Sequence, residues 1–110
     1  MKSLTEVIAQ FENSLAGTDT YKVLKAACLN LIKQDPHHAA AYYPIFVFAR
    51  SYVILYEEEA VTFETANKAK AQMLDYLKRI ESALSSDSQE ALLSSLNSIV
   101  LDYLQSERIF

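Results

Sequence analysis

The chain is expected to be all-α: an antiparallel up-and-down bundle of four long helices plus one shorter one. Three observations carry that expectation. A single glycine and two prolines in 110 residues cannot supply the corners that turn-rich β architectures need. Apolar residues recur at steps of three and four through most of the chain, the spacing of one helix face. Hydrophobic residues make up 51% and charged residues 22%, well outside the composition of chains that stay disordered. The length suits one domain, residues 1–110, with a core that needs no metal or disulfide.

Helix starts are written in capping residues. Ser3 and Glu6 have capping-box spacing, in which each side chain satisfies the other's orphan amide. Leu4, Val7, Ile8, Phe11 and Leu15 then give a first helix over about residues 4–15, ended by Gly17 in the role of a left-handed terminator. Asp19 or Thr20 is placed to cap a second helix, with Val23, Leu24, Ala27, Cys28 and Leu31 on one stripe and Lys22, Lys25 and Lys33 elsewhere around it. Asp35-Pro36 closes this helix and opens the third, since proline at the first helical position gives up only an amide that had no partner.

The third helix, about residues 36–59, is the centre of the predicted core. From Ala39 to Tyr56 only Pro44, Arg50 and Ser51 interrupt an apolar or aromatic run, so the other helices are expected to enclose it. Pro44 has no amide and its ring meets the carbonyl of Ala40, which predicts a kink or a fresh helix start there. Thr62 can cap a fourth helix with a seam of Phe63, Ala66, Lys70, Met73, Leu77, Ile80 and Leu84. Glu64–Lys68 and Asp75–Arg79 stand four apart in the favourable acid-first order. After a polar break over residues 82–88, with a capping signal at Asp87 and Glu90, a fifth helix places Leu92, Leu93, Leu96, Ile99, Val100, Tyr103 and Leu104 on one broad face.

Asp35 to Tyr43 resembles the helix start of a tetratricopeptide repeat, where Asp-Pro precedes two polar residues and an aromatic. The resemblance covers these residues only. Phe46 stands where that repeat takes a small residue, Pro44 is out of place, and no second copy follows. The stretch therefore reads as a shared way of starting a helix; a true repeat would imply a peptide-binding groove.

Charge and motif content exclude several functions. Ten Lys and Arg against fourteen Asp and Glu give a net charge of −4, which disfavours nucleic acid as a partner. One cysteine, Cys28, cannot form an internal disulfide, and the first residues carry amphipathic spacing instead of a targeting signal, so a cytoplasmic location is expected. Helix 3 is at the lower length limit for a membrane span and carries Arg50 inside it, so no membrane is expected. No nucleophile has a base at a recognisable spacing and no glycine loop could cradle phosphate. No catalytic residue, cofactor or metal is assigned. His37 and His38 are adjacent and point about 100° apart on a helix, unlike a pair of ligands to one metal.

Two readings of function remain. The first is a small interaction module, an adaptor, regulator or assembly factor, with a protein partner of unknown identity and a homodimer expected. Its binding residues would be Arg50, the one charge in an apolar run, with Tyr52 and Tyr56, because arginine and tyrosine dominate binding hot spots. The second is a metal-dependent all-α hydrolase using the acidic group Glu57, Glu58, Glu59 and Glu64, which could equally be an acidic docking patch. Three consecutive glutamates fan around a helix, so converging ligands would have to be drawn from distant pairs.

Overall fold

A computed structural model describes residues 2–110 and shows five α-helices and no strand among them. They are α1 (Leu4–Glu12), α2 (Thr18–Gln34), α3 (Ala39–Tyr56), α4 (Phe63–Ser85) and α5 (Gln89–Gln105), with a 3-10 turn at Pro36–His38 leading into α3. The all-α reading holds.

The Ser3–Glu6 capping box forms in both directions, and Thr62 caps α4 by accepting from the Thr65 amide at 3.1 Å. Elsewhere the caps differ from expectation. α1 stops at Glu12, three residues early, and leaves Leu15 88% exposed. Gly17 has φ −129° and serves as the N-cap of α2, so it is an extended helix opener and no left-handed terminator. The hydroxyl of Thr20, one of the expected caps, donates instead to the Leu15 carbonyl at 2.5 Å. Asp35 makes no cap bond; its carboxylate accepts from Tyr42 at 2.9 Å and meets His38 Nδ1 at 2.8 Å. Before α5 it is Ser88 that caps, accepting from Ala91 at 3.1 Å, while Asp87 takes the left-handed turn position at φ 54°.

No fresh start occurs at Pro44, because α3 is one helix from Ala39 to Tyr56. The proline lies in its second turn, where a single bond to Ala40 is lost, and Ala40 is exposed so that its carbonyl can turn to water.

Packing follows the helix seams. α2 lies along α3, α1 rests on α4 and α2, and α4 touches α5 and α3. The Lys22–Glu57 pair at 2.5 Å joins the start of α2 to the end of α3, so these two run antiparallel. Leu24, Cys28, Ile45, Met73, Leu77 and Ile80 are buried between the elements. An aromatic column runs through the core: Phe11 meets the edge of Tyr21, Tyr21 stacks on Tyr52 at 3.8 Å, and Tyr52 leans on Tyr56 at 4.7 Å. After α5 the chain turns back and inserts Phe110, fully buried, against Phe48, Tyr76 and Tyr103. Two tyrosine hydroxyls hold this return, Tyr56 donating to the Ile109 carbonyl at 2.5 Å and Tyr103 to that of Phe110 at 2.6 Å.

The dimensions, 41 × 33 × 20 Å, decide what can be covered. Twenty ångströms is about two helix diameters, so every helix keeps one side facing out. α3 is consequently covered on its inner side only. Ala41, Ile45, Phe48, Ala49 and Tyr52 are buried, whereas Tyr43, Arg50, Ile54 and Leu55 are exposed. The broad face of α5 is covered still less: Ile99 is buried, Leu92, Leu96 and Tyr103 are half-buried, and Leu93, Val100 and Leu104 face out. Likewise Phe63, expected in the α4 seam, is 84% exposed, and Lys70 leaves the seam to donate to the carbonyls of Glu12 and Ser14.

Candidate interaction surface

The outward side of α3 carries Ala40, Tyr43, Val47, Arg50 and Ile54, which recur at three and four residues and so form one line on the helix. Arg50 sits on this line with its guanidinium carbon 5.5 Å above the Phe46 ring. Phe46 in turn lies 5.9 Å from Tyr43. Among the described residues Arg50 makes no ion pair. It is therefore a cation stacked on an aromatic face, held in place by its stem and free at its donors.

Tyr52 and Tyr56 are not beside it. Two residues along a helix is about 200° around it, and Tyr52 accordingly points inward, 1% exposed and stacked on Tyr21. Tyr56 is half-buried and spends its hydroxyl on Ile109. The aromatics that do accompany Arg50 are Tyr43 and Phe46; the signal that could have found them is their shared offset of four and seven residues before Arg50.

The four glutamates are dispersed. Glu57 pairs with Lys22, and Glu64 with Lys68 at 3.2 Å. Glu58 is held at φ 68°, and it and Glu59 border an open cleft of about 480 Å³ beside Tyr52, Tyr56 and Phe63. No three His, Cys, Asp or Glu side chains among the described residues are grouped to hold a metal. His38 is engaged with Asp35, and His37 lies edge-on to it. Burial raises the Asp35 carboxyl, but the bonds from His38 and Tyr42 outweigh that and hold it below its ordinary value.

Cys28 is buried and burial pushes its thiol up to about 12, which removes it as a nucleophile at neutral pH. Tyr21 is the one buried side-chain polar group without a hydrogen bond among the described residues. The outer aliphatic face of α5 carries Leu101 and Leu104 beside Leu93 and Val100; the sequence puts Leu93, Val100 and Leu104 on one broad apolar face but gives no sign that this part of it is uncovered.

Pro36–Tyr56 is the one stretch among the described residues long and apolar enough to cross a membrane by length and composition. Comparison with family models, with curated proteins and with solved structures returns no match.

Proposed function

We propose that the chain is a small helical protein-interaction module, an adaptor, regulator or assembly factor without catalysis of its own. The observation that supports this most is the uncovered line on α3, where Arg50 lies over Phe46 between Tyr43 and Ile54. Arginine and aromatic side chains are the residues that carry most binding energy at protein interfaces. Here the guanidinium keeps its fork of donors free for a carboxylate, while Tyr43 and Ile54, 53% and 72% exposed, supply apolar area around it. The partner surface that fits is apolar with an Asp or Glu at its centre. Pro36–Tyr56 serves in this reading as a core helix with one face kept for a partner.

The test is a quantitative capture from extract of the source cells. The wild-type chain should retain a partner in near-equal amount. An Arg50→Glu, Ile54→Glu double variant should lose it, while a Lys33→Glu control on α2 keeps it and all three melt alike. A retained set that is the same for all three overturns the proposal.

A further inference from the structure

We propose that α5 binds α5 of a second copy of this chain, the two helices crossing antiparallel along Leu93, Asn97, Val100 and Leu104. This rests on the reading of the chain as an interaction module, but on a different face from the one around Arg50.

At about 100° per residue, the apolar residues of α5 cover an arc of about 140° running through Ile99, Leu92, Tyr103, Leu96, Val100, Leu93 and Leu104. The body of the molecule covers only the first half of that arc. Leu93, Asn97, Val100 and Leu104 step by four, three and four residues, which is the seam of a pair of packed helices. Their exposure matches that role: Leu93 is 61% exposed, Val100 45%, Leu104 71%, and Leu101 beside them 57%. Among the described residues no other 12-residue stretch exposes four large aliphatic side chains.

The charge pattern points to a copy of the same helix as the occupant. α5 carries two charged residues, Glu90 and Asp102, and no cation. Asp102 lies away from the seam, paired with Arg79 at 2.9 Å. Glu90 stands at the outer end of this line, three residues before Leu93, and from Leu93 to Leu104 the seam is neutral, so a second copy laid along that span buries no charge there. A parallel crossing would set one Glu90 beside the other. An antiparallel crossing separates them by the length of the helix, opposes the helix dipoles, and packs Leu93 of each copy against Leu104 of the other. It also brings the two Asn97 amides within reach across the two-fold axis, the use of one polar seam residue to fix register. A helix of 17 residues gives a contact smaller than the roughly 800 Å² per partner of an ordinary stable complex, so the dimer is weak and dissociates on dilution.

Sedimentation equilibrium across a concentration series tests the pairing. The wild-type mass should climb from one chain of 12.4 kDa toward two, whereas Leu93→Glu and Leu104→Glu stay at one chain with unchanged circular dichroism. Cysteines introduced at the surface test the direction, since the native Cys28 is buried: Leu93→Cys mixed with Leu104→Cys should oxidise to the mixed disulfide in preference to either symmetric one. A wild type that stays at one chain, glutamate variants that associate like wild type, or a Leu93→Cys chain that prefers its own kind each overturn the proposal. Such failure leaves the α3 reading standing if the capture experiment still separates Arg50→Glu, Ile54→Glu from wild type.

Discussion

Tyr21 lies flat on Tyr52, ring centroids 3.8 Å apart and planes within 16°, and its buried hydroxyl has no hydrogen-bond partner. The stack gains dispersion and apolar burial, while the orphaned hydroxyl costs its hydration. A buried unsatisfied polar group costs about 1–3 kcal/mol. Tyr21→Phe keeps the ring and removes the cost, so it should stabilise the fold by an amount of that order. Chemical denaturation gives the answer; a loss of stability would mean that the hydroxyl is partnered in solution.

The same burial sets the response to alkali. It pushes the Cys28 thiol from 9.0 up to about 12, Tyr42 from 10.0 up to about 12 with help from its bond to Asp35, and Tyr21, Tyr52 and Tyr76 above 10.0. All five are favoured in their neutral forms by the fold. Their contribution is therefore complete below the unfolded-state values and is lost as pH rises through the folded ones. Melting followed by circular dichroism should hold steady to near pH 9 and decline between there and pH 12. A melting temperature flat over that window would contradict the burial of these groups.

Gly17 offers a direct check on how α2 begins. Its backbone is extended and a Cβ would meet nothing within 4 Å. Gly17→Ser adds a capping oxygen and restricts the unfolded chain, which together should gain about 0.5–1 kcal/mol. Destabilisation in a thermal melt would instead indicate the left-handed conformation that the sequence suggests for residue 17.

Leu77 is fully buried on α4 and Phe110 is fully buried in the returning segment. Leu77→Ala should cost about 2–5 kcal/mol and Phe110→Ala about 3–5 kcal/mol. Equal sensitivity at both positions, read by urea titration, would establish that residues 106–110 are part of the core. A neutral Phe110→Ala would detach that segment from it.

Much of the fold was legible because it depends on neighbours in sequence. The Ser3–Glu6 box and the Thr62 cap are local geometry, and the Met73, Leu77 and Ile80 seam follows helical period alone. What was not legible depends on how many helices can reach each other. A stripe in the sequence says that a helix has an apolar side, but not that the body is only 20 Å thick and leaves Ile54, Leu93 and Leu104 uncovered. Arg50 stood out as the one charge in an apolar run, yet its companions are set by rotation about α3, which puts Phe46 under it and Tyr52 on the far side. The return of Phe110 has no periodic signal, since four residues without regular structure carry it from α5 to Phe48.

The inner sides of α3 and α5 are core, and their outward sides are the proposed binding surfaces. Methyl and amide NMR spectra recorded through a dilution series, and then with the captured partner added, test this division residue by residue. Dilution should move Leu93, Val100, Leu101 and Leu104, the partner should move Tyr43, Arg50 and Ile54, and Leu24, Leu77 and Ile80 should stay still in both. Spectra unchanged by both treatments, or shifts spread evenly over core and surface, would contradict the account.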